Sequence, residues 1–368
     1  MSFTLGASPR RIAVPLVSVL GIRLARIPTR GVPLLGLLLA APHHAPAPAP
    51  HYSVIRRIAV PGDGGWDDLT ADSRSRRLYI SHSTRVQVLD LDRESLIGEI
   101  PDTPGVHGIA LAPDLGRGFA SNGRDSSVTV FDLKTLATVA RIKLPARNPD
   151  AILYDPASGR VFTFNGGSRS ATAIDAASGA IVGTIELGGR PEFAVTDSAG
   201  RIFVNLEDSS AVLMFDSKAL KPLARWPLAP AVNPSGLALD ARHHRLFSVC
   251  RNHLMAVLDA ENGRLVDTLA IGGGVDGVAF DPATGLVFSS NGEGTLTMVY
   301  EDTPDHFTWI ANVPTEYGAR TLAVDRKTHH VYLATAQFGP APAATVENPY
   351  PRRPVIPGSF VILVVAPQ

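Results

Sequence analysis

Cysteine is almost absent from the sequence: Cys250 is the only one among 368 residues. An intrachain disulfide is therefore excluded, so packing and topology must hold the fold together. Aromatic residues make up 7% of the chain and charged residues 18%, whereas glycine (33) and proline (30) are plentiful. The body of the chain also lacks long stretches with apolar residues at helical spacing. This composition is typical of many short strands joined by turns.

An excess of basic charge is confined to residues 1–50. This leader has five arginines and no acidic residue, then the apolar core VPLLGLLLAA and the run PHHAPAPAP. Such an order predicts an export signal with an Ala/Pro-rich spacer, and hence a periplasmic or secreted protein. The apolar core is about half of the ~20 residues that a spanning helix needs, so we expect no membrane span once the signal is removed.

Without the leader, the acidic residues outnumber the basic ones. Five of 34 Lys and Arg leave and none of 34 Asp and Glu, so 29 minus 34 gives a net charge of −5. A nucleic-acid partner normally requires a basic face, so this balance disfavours nucleic-acid binding.

The body of the chain repeats. Seven apolar strands each end in an aspartate, at intervals of 41 to 44 residues: Asp72, Asp114, Asp155, Asp197, Asp240, Asp281 and Asp325. Each is followed by a second strand such as GRGFASN, an alternating third strand such as SVTVFDL and a fourth such as ATVARIKLP. Four short strands in 40–45 residues is the period of a propeller blade. We therefore predict one all-β domain, residues 51–368, with the fold of a seven-bladed β-propeller of four-stranded blades.

The seventh repeat lacks its fourth strand, since the chain ends after SFVILVVAPQ. The segment SVIRRIAVPG, which begins at Ser53, has a fourth-strand pattern and no partner strand before it. We predict that residues 53–61 complete the last blade and so close the ring without an open blade edge.

The aspartates that recur in every repeat are explained by turn chemistry. GGGVDG (272–277) fits G-x-G-x-x-G, but no helix follows it, so we interpret it as a turn between blades. The pairs His243-His244 and His329-His330 precede second strands on the same turn face, where we expect a structural or solvated role.

The opposite face is predicted to carry a polar channel mouth. Because strands alternate in direction, the start of each first strand and the end of each second strand meet there. The side chains that we predict to bind a ligand at this mouth are Asp67, His107, Asp150, Glu192, Asp276, Arg320, His82, Asn122, Asn165, Asn291 and Arg352. Residue type varies at these positions from blade to blade, which turn chemistry does not explain. A solvated mouth that tolerates polar residues is the alternative.

Some of these side chains are also candidate ligands of a divalent metal, Ca²⁺ or Zn²⁺. They are Asp150, Glu192, Asn165, His82 and His107. Their oxygen and nitrogen atoms suit such ions. The residues come from separate blades, with no local H-x-x-x-H pair, so a mouth that requires no cofactor stays the first expectation.

A proline-rich loop, residues 338–357, is inserted in the last blade between its second and third strands. The prolines predict an extended, stiff loop on the mouth face. We expect a lid or rim in which Arg352 and Arg353 reach the acidic mouth, with Tyr350 either stacked on a ligand or packed against the protein. A loop packed on the first blade without such a role is the alternative.

The second strands FASN, FTFN and FSSN and the third strand VTVFDL resemble the YVTN-repeat propellers of the YncE family. The ending ATAQFGPAPAATVENPYPRRPVIPGSFVILVV resembles one bacterial branch of that family. The resemblance covers about residues 53–368 and implies an exported seven-bladed propeller, but it brings no catalytic residues. The second strands of the fourth, fifth and seventh blades depart from the Asn-ending motif.

The function favoured by the sequence is an exported module that binds a small molecule or a periplasmic protein at the channel mouth, as a monomer. No G-x-S-x-G, C-x-x-C-H or H-E-x-x-H motif is present, so no nucleophile or haem is indicated. The alternative is a metal-dependent hydrolase of the gluconolactonase type, a lactonase or esterase, at the same mouth. For that enzyme Glu192, Asp150, Asp276, Asn165 and Asn291 are ligands of suitable type. Nucleic-acid binding is a third, disfavoured alternative.

Overall fold

A computed structural model describes residues 50–343, 345 and 351–368. The predicted export signal and Tyr350 lie outside these residues. The described chain forms 28 β-strands and one short 3₁₀ turn, Glu207–Ser209. The strands pair as seven four-stranded antiparallel sheets, which are the blades of a β-propeller. The predicted fold class is therefore confirmed.

Each of the first six blades is continuous in sequence, and its strands run outward from the channel in chain order. Blade 1 has β2 (Trp66–Asp72), β3 (Arg77–His82), β4 (Arg85–Asp90) and β5 (Ser95–Ile100). Blade 2 has β6 (Val106–Ala112), β7 (Arg117–Asn122), β8 (Ser127–Asp132) and β9 (Thr138–Lys143). Blade 3 has β10 (Pro149–Asp155), β11 (Arg160–Asn165), β12 (Ser170–Asp175) and β13 (Ile181–Glu186).

The next three blades repeat this order. Blade 4 has β14 (Pro191–Thr196), β15 (Arg201–Leu206), β16 (Ala211–Asp216) and β17 (Lys221–Pro227). Blade 5 has β18 (Pro234–Asp240), β19 (Arg245–Cys250), β20 (Leu254–Asp259) and β21 (Leu265–Ala270). Blade 6 has β22 (Val275–Asp281), β23 (Leu286–Asn291), β24 (Thr295–Thr303) and β25 (His306–Pro314).

Blade 7 joins the two ends of the domain. Its inner strands are β26 (Leu322–Asp325), β27 (His330–Thr335) and β28 (Val361–Pro367), and its outer strand is β1 (Tyr52–Ala59). Strand β1 pairs antiparallel with β28 from Tyr52 opposite Pro367 to Ala59 opposite Val361. The prediction that the N-terminal segment closes the ring is confirmed.

The apolar core is divided among the blade interfaces. In the described residues, seven buried clusters each join two neighbouring blades. In the cluster between blades 7 and 1, Ile58 of the closing strand packs with Leu78, Ile80 and Ile362. Because each interface buries side chains that alternate inward from two sheets, the ring is stabilised without a disulfide.

Polar contacts repeat at these interfaces. In blades 1 to 5 an arginine begins the second strand and donates to the turn that joins the third and fourth strands of the next blade. Arg160 Nη1, for example, donates to the carbonyl oxygen of Ser217 at 2.7 Å. The arginines are Arg77, Arg117, Arg160, Arg201 and Arg245. Blade 6 has Leu286 at this position.

Candidate acidic mouth of the channel

The first strands of blades 1 to 6 share an irregularity that forms the mouth. Their pairing with the second strand shifts register within the first residues, for example between Trp66 and Leu69 in blade 1 and between Pro149 and Ile152 in blade 3. Such bulges re-aim side chains at the end of a strand. The residue directly after the first pair lies in this bulge, and this position contains Asp67, His107, Asp150, Glu192, Ser235 and Asp276.

The backbone of this ring is fixed by the neighbouring blades. A second-strand side chain of one blade donates to the carbonyl oxygen of the ring residue of the next. Ser121 Oγ donates to Asp150 O at 2.5 Å, and Asn205 Nδ2 donates to Ser235 O at 3.0 Å. Ser290 Oγ donates to Arg320 O at 2.5 Å, which places Arg320 as the ring residue of blade 7. Hydrogen bonds between neighbouring blades therefore hold the backbone of the ring in place.

Three ring residues of adjacent blades form one polar cluster. His107 Nδ1 lies 2.5 Å from Asp67 Oδ2 and 3.6 Å from Asp150 Oδ1. Burial disfavours the charged imidazole, but the hydrogen bond that it donates to Asp67 and the charge of Asp150 outweigh burial and raise the pKa of His107 to about 9. One ligand atom of each residue lies within 4.8 Å of the others, so the cluster could hold a metal ion.

More carboxylates surround this cluster than it has cations to balance them. Burial, followed by the charge of Asp67, raises the pKa of Asp68 to about 8. Burial, followed by the charge of Asp150, raises the pKa of Glu192 to about 8. Asp68 retains some exposed surface, yet protein surrounds its carboxyl group closely, so its charge is poorly solvated. This half of the mouth therefore retains protons or attracts cations.

The other half of the ring is internally paired. Asp276 accepts a hydrogen bond from Ser235 Oγ at 2.6 Å and one from Arg320 Nε at 2.8 Å. Arg190 pairs with both Glu192 at 3.4 Å and Glu207 at 3.0 Å, and Arg251 pairs with the same Glu207 at 2.8 Å. Charge of both signs therefore alternates around much of the mouth.

A cavity of about 580 Å³ opens beside Arg320, between blades 6, 7 and 1 and the described base of the proline-rich loop. Its charged lining residues are Arg320, Arg352, Arg353 and Glu293, and its aromatic ones are Trp66, Tyr317 and Phe338. The guanidinium carbon of Arg353 lies 4.9 Å from the Tyr317 ring centroid, and Tyr317 meets Phe338 edge-on at 5.1 Å. Such a mixture suits a planar ligand that carries an anionic group.

The described base of the loop is attached to the propeller. Phe338 and Val355 form an isolated antiparallel bridge, and Gly339 N donates to Pro354 O at 2.9 Å. Gly358 N donates to Asp63 Oδ1 of the segment before blade 1 at 2.9 Å. The described base of the loop therefore lies on the mouth face, and its Arg352 and Arg353 line the cavity, whose lining does not include the Asp67–His107–Asp150 cluster.

Four predicted mouth residues lie elsewhere. Asn122, Asn165 and Asn291 are fully buried inside their blades, where each amide donates to hydroxyls of the third strand. Asn165 Nδ2, for example, donates to Thr172 Oγ1 at 3.0 Å. His82 is also buried, with Nδ1 2.6 Å from Gln87 Oε1 and its ring 4.3 Å from that of Phe360. The side chain that ends a second strand turns toward the third strand, so these residues do not join Asp150, Glu192 and His107.

The sequence reasoning did not single out Trp66, Asp68, Arg190, Tyr317 or Phe338. A signal for Asp68 is present, since WDDL places two acids in the bulge where other blades have an apolar or small second residue. Trp66 and Tyr317 come from blades that are distant in sequence, and no repeat position marks them. The search for a helix that could span a membrane finds none among the described residues.

No protein-family model matches the chain, and no curated protein matches it in sequence. Solved structures do match its fold. A chain of hydrazine synthase from Kuenenia stuttgartiensis aligns with a TM-score of 0.66 at 16% identity, covering 74% of this chain and 94% of that chain. At this identity the likeness shows the β-propeller fold alone.

Proposed function

We propose that this chain is an exported, monomeric binding module of the YncE type whose ligand occupies the channel mouth. The observation that carries the proposal is the cavity beside Arg320, because Arg320 belongs both to the cavity and to the acidic ring. A ligand in the cavity would thus also meet the ring. The periplasmic or secreted location in this proposal rests on the export signal that the sequence predicts for residues 1–50.

The lining indicates the chemistry of the ligand. Arg320, Arg352 and Arg353 supply guanidinium groups for a carboxylate or phosphate, with Glu293 as the one acid of the described lining. Trp66, Tyr317 and Phe338 offer faces and edges for a planar apolar part. The indole Nε1–H of Trp66 is buried and has no hydrogen-bond partner among the described residues. We therefore propose a small aromatic or heterocyclic anion.

A thermal-shift screen of aromatic carboxylates and aryl phosphates tests this function. We expect at least one class to raise the melting temperature of the full chain. The variant Arg352→Ala/Arg353→Ala should lose that shift, and Arg74→Ala, which removes an arginine of the opposite turn face, should keep it. A panel without effect on the wild type, or an equal shift in the double variant, would contradict the proposal.

The alternative is a metal-dependent hydrolase at the same mouth, and the Asp67–His107–Asp150 cluster favours it. The amides of Asn165 and Asn291 are engaged inside their blades, so the cluster would have to replace the ligand set expected from the sequence. Metal analysis of the purified chain, before and after chelation, and a lactone and ester screen test this function. Metal-dependent turnover that Asp67→Asn/Asp150→Asn abolishes would favour the hydrolase over the binding module.

A further inference from the structure

The turn face of the propeller has a recurring contact. The aspartate at the end of a first strand, or in the turn directly after it, accepts a hydrogen bond from the following blade in several interfaces. Asp155 accepts from Thr196 Oγ1 at 2.7 Å, and Asp114 accepts from Tyr154 Oη at 2.7 Å. Asp325 pairs with Arg76 of blade 1 at 2.5 Å. In each of these contacts the neighbour supplies a hydrogen to the carboxylate.

Between blades 5 and 6 the neighbour supplies a second carboxylate instead. Asp240 of blade 5 faces Glu301 of blade 6, and both side chains are almost fully buried. His243 lies between them, with Nδ1 2.7 Å from Asp240 Oδ2 and 3.2 Å from Glu301 Oε1. One ligand atom of each residue lies within 4.8 Å of the others.

Glu301 and His243 both differ in type from the residues at the same positions of the other blades. The backbone N–H of Glu301 donates to Gly285 O at 2.9 Å, a bond that the residue after each third-strand aspartate makes in blades 1 to 5. The residues at that position in the other blades are Leu91, Leu133, Ala176, Ser217 and Ala260. His243 similarly occupies the position three after the turn aspartate. Serine or threonine at that position bonds to the aspartate in four other blades: Ser75, Ser158, Thr284 and Thr328.

Glu301 is left incompletely paired by this arrangement. The Glu301 side chain is only 2% exposed, and its Oε2 has no hydrogen-bond partner among the described residues. Arg245 is nearby, but its guanidinium already bonds to the carbonyl oxygens of Pro304, His243 and His244 and to Asp305. Two buried carboxylates therefore share one histidine, where a cation would satisfy all three groups.

We propose that Asp240, His243 and Glu301 bind a divalent transition-metal ion, with Zn²⁺ as the best fit, and that this ion joins blades 5 and 6. Imidazole nitrogen and carboxylate oxygen are both ligands of Zn²⁺, and an open zinc site combines three protein ligands with water in the fourth position. His243 is 35% exposed, so ion and water can reach the site from solvent. The site lies on the turn face and is independent of the proposed function at the mouth.

Isothermal titration of the chelator-stripped full chain with Zn²⁺ tests this site. The mouth cluster is removed in the background variant Asp67→Asn/Asp150→Asn, so that its own metal binding cannot contribute. We expect one equivalent of Zn²⁺ to bind to that background and to raise its melting temperature. Adding Glu301→Gln should weaken binding at least tenfold, while adding His244→Ala, which alters the adjacent histidine outside the cluster, should leave it unchanged.

Glu301→Gln replaces a buried carboxyl group beside Asp240 with an uncharged amide of similar shape, so we expect it to fold and to melt no lower than the background without metal. A second test is the variant His243→Ser, which restores the residue type of the other blades. It should also lose the rise in melting temperature that Zn²⁺ causes. The site does not exist if the background binds no Zn²⁺, or if Glu301→Gln and His243→Ser bind it with unchanged affinity.

Discussion

His107 Nδ1 lies 2.5 Å from Asp67 Oδ2, and this contact joins the ring residues of blades 1 and 2. The pKa of His107 is raised to about 9 because its partners outweigh burial. An unfolded histidine titrates near 6.5. The folded chain therefore binds an extra proton between about pH 6.5 and 9, and the stabilisation is complete below that window and lost as pH rises through it.

We predict that His107→Gln lowers the free energy of unfolding of the chelator-treated chain by about 1 kcal/mol at pH 6. The difference from the wild type should shrink as pH rises to 9. Urea melts at several pH values measure it, with His306→Gln on the turn face as the control. A difference that does not change between pH 6 and 9 would show that the pair is not charged.

Glu192 is an acid where His107 is a base, yet both residues make the fold less stable as pH rises. Its pKa of about 8 in the folded chain lies above the value of 4.5 expected for a glutamate in the unfolded chain. Between these two pH values the folded chain therefore holds a proton that the unfolded chain has lost. Stability should therefore fall as pH rises from about 4.5 to 8. We predict that Glu192→Gln raises the free energy of unfolding at pH 9 by roughly 1–3 kcal/mol. The exposed Glu186→Gln is the control, and equal effects of the two variants would contradict the prediction.

The closing strand gives a prediction for stability and association. Deleting residues 51–61 removes β1 and exposes the edge of β28, so we expect a sharply lower melting temperature and association through that edge. Light scattering and thermal melts measure both effects. A truncated chain as stable as the parent would show that β1 is not what closes the ring.

A pair of point variants separates packing from strand pairing in β1. Ile58 is 8% exposed and packs between blades 7 and 1, whereas Ile55 is 45% exposed. Ile58→Ala should lower the free energy of unfolding by about 2–5 kcal/mol. Ile55→Ala should change it by less than about 0.5 kcal/mol. Similar losses in both variants would contradict this assignment of the core.

Asn165 distinguishes a structural role from a ligand role. Because its amide serves Ser170 and Thr172, Asn165→Ala should cost about 1–3 kcal/mol of stability by leaving buried hydroxyls unpaired. Metal and ligand binding at the mouth should not change. The turn residue Asn262, substituted in the same way, is the control. Loss of binding without loss of stability would show that Asn165 contacts the ligand or metal at the mouth.

The sequence predicts the mouth in part. The ring residues Asp67, His107, Asp150 and Asp276 follow from the repeat, because the start of each first strand has a fixed place in a blade. The asparagines that end second strands share that register, but their side chains turn toward the third strand. Register alone does not determine this direction, since it depends on the hydroxyls that the third strand presents.

By itself the sequence determines the number of blades, the order of their strands and the pairing of its two ends. These follow from a period of about 42 residues, the alternation of apolar side chains and the turn residues between strands, all of which are local. Only the tertiary structure decides which side chains meet across blades. Glu301 meets Asp240, and Arg320 meets the cavity of Trp66 and Tyr317, because neighbouring sheets pack face to face and bring together positions that no local pattern links.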